Sequence, residues 1–514
     1  MAPPPDQREK KIASLVKAIV SLGDLARYKE QYNERQGRPK AGSEDLPVAR
    51  WATTKGNGGN RRAGEELQRP RNYTRAMACY TQARLLYPES GHAFHQMAIL
   101  CSYQADYFGQ ILNYYRSLCV EHPFTTASDN LVHLLTKLLE ASKSESMESA
   151  SDEEIPRTAI DRFKRDIVKL HALWRAKRAS ETELVAHTQH TLARFNKLLY
   201  ERILPIGLII KIYIAALGAH RTISILARKS TGTDAGKRTK VHAQKMEGVV
   251  LTHIMELHLV LVKLATEQLA PEVVSPGVSP PERITAVLRR ILQTLRVASK
   301  WLIGNQDYLY RAANPEKSPQ PGLTRVLGEF WPAYAQFATA LSSTFPKDVV
   351  KDIQRVQLEE DVEFAGFTPL KKLLKPPEKL PTGIANQAHP NDEYLLRIRD
   401  ILKDLFALVK SNVNPLKYQG GVYMSKTELF KSTAETSARS NDILSSINQN
   451  NGNGNTAGHL KAAEDDDIAS VSTEDPVTMA MRTTLELSGN DLLDEMDDEQ
   501  ILVQPGAFSR MDAP

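Results

Sequence analysis

Cysteines, aromatic residues and long uncharged runs are scarce in this 514-residue sequence. The three cysteines form no CxxC pair, which argues against a zinc site and a disulfide framework and indicates a reducing compartment. The first residues lack the apolar core of a secretory signal, and Lys211 interrupts the nearest approach to a membrane-spanning run of about 18 apolar residues. We therefore expect a soluble protein of the nucleus and cytoplasm that binds no membrane.

Signatures of catalysis are missing as well. No GxSxG sequence, no paired-carboxylate signature and no cysteine with a histidine partner in a known motif occurs. The segment GTDAGK at 232–237 has three residues between its glycines where a phosphate-binding loop has four, and Arg238 follows where that loop has Ser or Thr. We interpret it as a basic loop between helices. The sequence thus predicts no enzyme, no cofactor and no metal site, with an unrecognised enzyme kept as a third hypothesis.

Charge is divided unevenly along the chain. Residues 425–514 contain six Lys and Arg against 17 Asp and Glu, a net charge of −11, which leaves +16 on residues 1–424 of the overall +5. A basic body attracts polyanionic partners by counterion release and electrostatic steering. The alternative is a solvated helical surface followed by a solubilising acidic tail.

Apolar residues recur at three- and four-residue spacing through most of the first 410 positions, which predicts an all-α fold. The first helix is expected at Lys10–Asn33. Its apolar residues are assigned to one face: Ile12, Leu15, Val16, Ile19, Leu22, Leu25 and Ala26. Later helical stretches are expected at about 156–228, 241–270, 281–303, 323–345 and 392–411.

A helical repeat occupies residues 73–141. Proline and polar corners near 88, 105 and 123 divide it into four helices. Ala, Tyr, Ala and Pro at positions 76, 80, 83 and 88 follow the pattern of a tetratricopeptide second helix, which places small residues against its neighbour and ends at proline. A 34-residue step carries Tyr80 onto Tyr114 and Ala83 onto Ser117. A tetratricopeptide-like repeat is therefore predicted.

These patterns divide the chain into four parts. Residues 1–141 are expected to form the repeat domain, with a disordered insertion at about 35–71 where Gly, Asn, Arg and Pro dominate. Residues 142–155 are read as an acidic linker, and 156–412 as antiparallel helical hairpins that bury one face each. Residues 413–514 are predicted to be a disordered acidic tail, because stretches such as NQNNGNGN cannot bury enough apolar surface.

Basic residues form further candidate sites on the predicted helices. Aromatic residues are sparse among them, so these clusters suit contact with phosphates rather than stacking on bases. The alternative is a solvated helix face. The candidate nucleic-acid-binding residues are Lys164, Arg165, Lys169, Arg228, Lys229, Lys237, Arg238 and Lys240.

Two separate segments carry a family resemblance. SLGDLARY at 21–28 is similar to an LGDxARY motif, and GHAFHQMAIL follows at 91–100. LEEDVEFAGFTPL at 358–370 is similar to an ExxELxGFxPL signature. On these motifs the chain, over about residues 13–410, resembles the ever-shorter-telomeres family of nonsense-mediated decay and telomerase-associated proteins, in particular a fungal member without the nuclease domain. The resemblance implies a 14-3-3-like tetratricopeptide domain followed by an α-helical hairpin domain.

The resemblance also implies a phosphopeptide site. Arg27 would clamp the phosphate by a bidentate contact, Tyr28 would donate its hydroxyl, and His95 stands where the family has an asparagine that contacts the peptide. The alternative is structural, with Tyr28 in the core and Arg27 paired with an acid on the next helix. Family members carry several helices ahead of this motif, one of which supplies a second basic residue, whereas this chain begins about 20 residues before it.

Two binding hypotheses follow. The first is a non-catalytic adaptor in nonsense-mediated mRNA decay or telomere maintenance. It would bind phosphorylated, helicase-type proteins of RNA surveillance through a helical groove, and it would form a hetero-oligomer with a related adaptor. The second is a direct nucleic-acid binder that uses the basic clusters, with telomerase RNA or another single strand as its partner. A steep salt dependence of binding would favour the second.

Overall fold

The computed structural model describes residues 5–32, 71–144, 155–176, 179–229, 234–270, 277–313, 321–350, 356–371, 373–374, 389–411 and 413–426. These residues form fourteen α-helices, one short 3-10 helix and one β-hairpin. Almost all of the predicted disordered insertion, most of the acidic linker and most of the acidic tail lie outside the described residues.

The first five helices build the N-terminal repeat. Helix boundaries fall at the proline and polar corners expected from the sequence, and Asp106 caps the fourth helix by accepting a hydrogen bond from the Gly109 amide at 3.1 Å. Each helix packs on the next along the chain. The five are α1 (Pro5–Tyr32), α2 (Thr74–Leu86), α3 (His92–Tyr103), α4 (Tyr107–Leu118) and α5 (Thr126–Ser144).

Nine more helices and a hairpin complete the described chain. The all-α class and the order of a helical repeat followed by helical hairpins are confirmed. The short 3-10 helix, Pro280–Arg283, precedes α10. The elements are α6 (Pro156–Arg175), α7 (Glu181–Tyr200), α8 (Ile206–Arg228), α9 (Asp234–Gln268), α10 (Ala286–Ala312), α11 (Pro321–Thr344), α12 (Lys347–Val350), α13 (Glu359–Glu363), α14 (Pro390–Lys410), β1 (Leu416–Gln419) and β2 (Val422–Ser425).

Two hydrophobic clusters form the interior of this unit. A small one joins α1, α2 and α3, and a large one extends from α3 to β1. The large cluster is continuous across the predicted linker: a Cβ on Gly218 of α8 would lie 2.6 Å from Cβ of Tyr115 on α4. Tyr115 also places its hydroxyl 3.0 Å from Nδ1 of His171 on α6. The repeat and the hairpin helices therefore share one core.

Helices α8 and α9 each contain a long apolar stretch. Each is long and apolar enough to cross a membrane, yet 72% of the most apolar window of each is buried inside the unit. They pack extensively against each other, and α9 also packs against α11. This burial explains their composition as that of central core helices.

Two sequence predictions are wrong in detail. Residues 234–237 of the GTDAGK segment lie in the first turn of α9 rather than in a loop. The predicted tail begins too early, because β1 and β2 pair antiparallel inside it, Leu416 is buried, and the Tyr423 amide donates to Oγ1 of Thr339 at 3.0 Å. The Gly420–Gly421 turn, with φ of +61° and +86°, is the hairpin signal that was missed.

Candidate partner-binding sites

The LGDLARY segment lies in the C-terminal half of α1, and its Asp24 and Arg27 face α2 and α3. Asp24 Oδ1 accepts hydrogen bonds from the Tyr80 hydroxyl at 2.7 Å and from Nη2 of Arg27 at 3.1 Å. Nη1 of Arg27 lies 3.5 Å from the Tyr103 hydroxyl, and its guanidinium carbon lies 4.4 Å from the centroid of the Tyr28 ring. The Arg27 side chain is 0% exposed. These residues form a buried polar network between three helices.

The electrostatics of this network stabilise its charged pair. Burial lowers the pKa of Arg27, but the nearby Tyr80 and Asp24 outweigh it and raise the pKa above its usual value. Burial and the Asp24 charge together raise the pKa of Tyr80, so the phenol remains a hydrogen-bond donor. Nε of Arg27 has no hydrogen-bond partner among the described residues. The guanidinium thus keeps part of its donor capacity unused.

This placement buries Arg27, whereas the phosphate clamp that the resemblance implies needs a guanidinium that a peptide can reach. The acid that it pairs with is Asp24 of its own helix, rather than one on the next helix, because residues three apart share a helix face. Tyr28 is half-buried. Phosphopeptide binding by Arg27 and Tyr28 stays a prediction.

His95, the third residue of the predicted phosphopeptide site, lies inside α3. Its ring stands 4.4 Å from the Phe124 ring and 5.8 Å from the Tyr114 ring, measured between centroids. Burial lowers its pKa to about 3, with smaller contributions from His92 and from the Arg27 charge. His95 is therefore a neutral, aromatic-packed core residue within electrostatic range of Arg27.

The second motif segment, LEEDVEFAGFTPL, connects the repeat to the hairpin helices. Glu363 accepts from Arg84 of α2 at 2.6 Å and from Arg116 of α4 at 2.7 Å. Burial acts to raise the pKa of Glu363, but Arg116 and Arg84 outweigh it and lower the pKa. Gly366, with φ of +74°, approaches so closely that a Cβ would lie 2.1 Å from the Pro88 carbonyl oxygen. Only glycine fits this contact without rearrangement.

Two other acids of this segment, Glu360 and Asp361, face the hairpin helices. Arg296 of α10 donates to Glu360 at 3.1 Å, to Asp361 at 2.8 and 3.1 Å and to Asp400 at 3.0 Å. Arg397 of α14 donates to Glu360 at 3.0 and 2.9 Å. We call residues 358–370 the clasp, because its acids bind arginines from both halves of the core.

One of the basic clusters lines a cavity. Lys164, Arg165 and Lys169 of α6 border a space of about 480 Å³, which the α3–α4 corner and the last turns of α5 close on the other sides. Lys169 lies 3.5 Å from Glu183, whereas Lys164 and Arg165 form no ion pair within the described part of the chain. This cluster is concave and accessible.

The other basic cluster lies where α8 ends and α9 begins. Arg228, Lys229, Lys237 and Arg238 are exposed and Lys240 is half-buried. Arg228 lies 3.4 Å from Glu247 of α9, so part of its charge is balanced. Within the described residues, no group of three or more His, Cys, Asp or Glu side chains is placed to hold a metal ion.

Sequence reasoning missed the partners of the clasp and the walls of the cavity. A signal existed for the first, because four acids lie within a short motif that also carries two phenylalanines, and acids that are buried require cationic partners. Nothing in the sequence pairs α5 with α6 across a cavity, since the contact depends on how two helices separated by a linker pack.

Comparison with known proteins places the chain in a family. The family described as Est1 DNA/RNA binding domain matches residues 76–374, more than half of the chain. The chain belongs to this family, whose Est1- and SMG7-type members are adaptors in nonsense-mediated mRNA decay and telomere biology.

Similar curated proteins are nonsense-mediated mRNA decay factors. The SMG7 factor of Arabidopsis thaliana is 36% identical over 124 residues, which is 24% of this chain and 9% of the relative. That of Danio rerio is 34% identical over 107 residues, 21% of this chain and 8% of the relative. The matched part spans less than a tenth of either relative.

Two solved structures are similar as well. The crystal structure of Est1 and Cdc13 has a TM-score of 0.48 and 12% identity, over 69% of this chain and 66% of that chain. The structure of the C. elegans SMG5–SMG7 complex has a TM-score of 0.31 and 13% identity, over 75% and 67%.

Proposed function

We propose that this chain is a non-catalytic adaptor of nonsense-mediated decay or telomere maintenance, active in the nucleus and cytoplasm. It binds acidic or phosphorylated segments of protein partners in the groove between α4, α5 and α6. The observation that carries the proposal is the cavity of about 480 Å³ bordered by Lys164 and Arg165, which have no carboxylate partner within the described residues. Family membership supports the adaptor role.

The walls of the groove favour a peptide. Phe108, Leu138 and Val168 give it an apolar lining, and Tyr107, 42% exposed, stands at its edge. Mostly apolar pockets with a few charged groups are typical of ligand sites, and this volume is within their usual range. A base-stacking surface would need several exposed aromatic rings, and the groove offers one.

The charges of α6 favour an anionic partner. Pro156–Arg175 contains six basic and two acidic residues. Asp166 is bound by Arg194 of α7 at 2.9 Å, and of the two acids in the lining, Asp106 is engaged as the cap of α4. Among the described residues, Asp161 is thus the one acid of the lining that is not engaged in this way, whereas the lining contains three basic side chains. The groove attracts acidic groups on balance.

A direct binding measurement tests the groove. The probe is a fluorescein-labelled 15-residue peptide that alternates leucine with phosphoserine, and its unphosphorylated form is the comparison. We expect the full chain to bind the phosphorylated peptide, and Lys164→Glu/Arg165→Glu to weaken binding by at least tenfold in fluorescence anisotropy. Charge reversal replaces two attractions with two repulsions.

A matched variant controls for net charge. Lys10→Glu/Lys11→Glu makes the same charge change at two exposed positions of α1 and should bind like wild type. Equal binding by wild type and Lys164→Glu/Arg165→Glu would overturn the proposal. Binding that is lost in Arg27→Lys instead would move the site to the α1 network, since lysine keeps the charge but cannot make a bidentate contact.

Direct nucleic-acid binding is the second candidate. It is favoured by the exposed cluster of Arg228, Lys229, Lys237 and Arg238 and by the description of the family as a DNA/RNA binding domain. Its partner would be telomerase RNA or another single strand.

Salt titration separates the two functions. A 20-nucleotide single-stranded RNA, and DNA of the same sequence, should bind with an affinity that falls steeply with salt, by about 0.7 log units per log unit of salt for each phosphate contacted. Lys237→Glu/Arg238→Glu should then reduce that slope, while the groove variant leaves it unchanged. The adaptor proposal expects no measurable binding of either strand at physiological salt.

A further inference from the structure

The connection between α9 and α10 presents an exposed serine directly before a proline. Ser279 precedes Pro280, it is exposed, and its backbone is extended, with φ of −61° and ψ of 152°. A following proline favours this extended conformation. Gly277, two residues earlier, is also exposed, and a Cβ on it would meet nothing within 4 Å. The Ser279 hydroxyl therefore lies in an accessible segment of extended chain.

Two arginines enclose this turn without a carboxylate to neutralise them. Arg283 donates through Nε to the Val278 carbonyl at 3.2 Å and through Nη1 to the Thr344 carbonyl at 2.9 Å. Arg289 donates to two carbonyls of the same turn at 2.9 and 3.0 Å. All of these acceptors are neutral, and neither arginine forms an ion pair within the part of the chain that the structure describes. The turn therefore carries uncompensated positive charge.

Glu282 is the partner of the serine in the unmodified chain. Its carboxylate accepts hydrogen bonds from the Ser279 amide at 2.9 Å and from the Ser279 hydroxyl at 2.8 Å, and both lower the pKa of Glu282. A phosphate on Ser279 would remove the hydroxyl donor and repel this carboxylate. It would attract the Arg283 guanidinium, which lies one peptide unit away on the Val278 carbonyl.

We propose that Ser279 is phosphorylated by a proline-directed protein kinase and that Arg283 then replaces Glu282 as the partner of the serine side chain. In this reaction the Ser279 Oγ forms a bond to the γ-phosphorus of ATP, the bond from that phosphorus to the β–γ bridging oxygen breaks, and ADP leaves. The hydroxyl proton passes to the catalytic base of the kinase. Hydrogen bonds between arginine and phosphate are among the strong ones, and Arg289 adds a second positive charge.

Thr368 of the clasp is the matched comparison, because it too stands directly before a proline. Its hydroxyl donates to the Cys119 carbonyl at 3.1 Å, and its neighbours Phe367 and Leu370 are buried. A kinase could not bind this segment as an extended substrate unless the clasp opened. The structure therefore predicts phosphorylation at Ser279 and none at Thr368.

Kinase treatment of the full chain tests the site. The chain is incubated with a mitogen-activated protein kinase, ATP and Mg²⁺, and tandem mass spectrometry locates the phosphate. We expect phosphate on Ser279 and none on Thr368, and Ser279→Thr should be modified at the same position because it keeps a hydroxyl before proline. Phosphate confined to the other two Ser-Pro sequences, at 275–276 and 318–319, would overturn the proposal, and so would equal modification of Thr368.

A thermodynamic cycle tests the role of Arg283. The background is Ser275→Ala/Ser318→Ala, which leaves one Ser-Pro sequence, and the readout is urea unfolding with and without the phosphate. We expect phosphorylation to raise the folding equilibrium constant by about tenfold, and by much less in Arg283→Gln, which lacks the charge-assisted hydrogen bond.

Two further variants complete the cycle. Arg283→Lys should show an intermediate gain, since lysine keeps the charge but not the guanidinium geometry. Arg325→Gln, at a position that is 60% exposed, should keep the full gain. An equal gain in the background and in Arg283→Gln would overturn the proposal, because the phosphate would then have no contact with Arg283.

This site and the groove can fail separately. Ser279 lies between α9 and α10, whereas the groove lies on α4 to α6. Ser279→Ala should therefore bind the phosphoserine peptide like wild type, and Lys164→Glu/Arg165→Glu should be phosphorylated at Ser279 like wild type.

Discussion

The two ends of the described unit bury their helices by different means. In the N-terminal region, α1 to α3 enclose a polar network around Asp24, Arg27 and Tyr80 beside a small apolar cluster. In the hairpin region, α8 to α11 enclose an apolar interior, and the buried ion pairs lie along the clasp. The N-terminal region therefore depends on the geometry of a few hydrogen bonds, whereas the hairpin region depends on packed volume and on a neutralised set of charges.

The largest effect is expected where the clasp meets α10. Arg296→Ala leaves Glu360 and Asp361 buried with fewer cationic partners, and breaking a buried ion pair of this kind costs about 3–5 kcal/mol. We expect a loss of that size in the free energy of unfolding in urea. Arg325→Ala is the control, because Arg325 is 60% exposed and its contacts to Glu256 and Glu329 are worth about 0–1 kcal/mol. Similar losses for the two variants would refute the buried role of Arg296.

Arg27→Glu probes the N-terminal network in the same way. It places a second carboxylate beside Asp24 in a site with no solvent exposure, so we expect a loss of about 3 kcal/mol, the lower end of the same range because one acid rather than three is affected. Arg8→Glu on the exposed part of the same helix serves as its control. An unfolding free energy that stays at the wild-type value would show that Arg27 contributes no stability and would favour a role in binding phosphate.

Much of the fold is predictable from periodicity alone. The helices of the repeat begin and end near proline and polar corners, because such residues favour helix ends, and the hairpin helices follow from sustained apolar spacing. The start of α9 was missed because glycine suggested a loop, whereas the helix begins at Asp234, between the two glycines of the segment. The β-hairpin was missed because its short strands are embedded in a polar region.

The candidate sites were less predictable than the fold. The motif located Arg27, but its exposure depends on Tyr80 and Tyr103, which come from helices across a long insertion. Lys164 and Arg165 were found by charge, while the cavity beside them arises from the packing of α5 on α6. The apolar residues assigned to one face of α1 divide into a buried stripe and an exposed one that contains three leucines, and spacing alone does not tell which stripe is buried.

Acid should weaken the hairpin region more than the N-terminal one. Burial lowers the pKa of four histidines of the hairpin helices: to about 3 for His253 and His258, to about 4 for His220, and also for His171. In the repeat, burial lowers the pKa of two histidines, His92 and His95. The unfolded chain takes up these protons below its histidine pKa of about 6.5 while the folded chain does not, so stability is complete above that pH and falls as the pH drops toward 3.

The contribution of one histidine to this pH dependence can be measured separately. Between pH 7.5 and pH 5.5, His258 should cost about 1.4 kcal/mol of stability in the wild type, and His258→Phe should remove that share of the pH dependence. The readout is the difference in unfolding free energy at the two pH values. His133→Phe, at an exposed position of α5, is the control and should keep the wild-type slope. An unchanged slope in His258→Phe would show that folding leaves the pKa of His258 unchanged.

The smallest effects are expected at the hydroxyls of Tyr80 and Tyr103. Tyr80→Phe keeps the ring that packs against Gly23 and removes the 2.7 Å hydrogen bond to Asp24. We expect the free energy of unfolding to fall by about 1 kcal/mol, because one buried hydrogen bond is lost while the Asp24 carboxylate keeps its contact with Arg27. Tyr103→Phe removes contacts of 3.4 and 3.5 Å to Gln31 and Arg27, which are too long to contribute as much. The unfolding free energies should therefore fall in the order wild type, Tyr103→Phe, Tyr80→Phe. The reverse order of the two variants would mean that Tyr103, rather than Asp24 and Tyr80, orients the guanidinium, and the network would then be centred on α3 instead of α2.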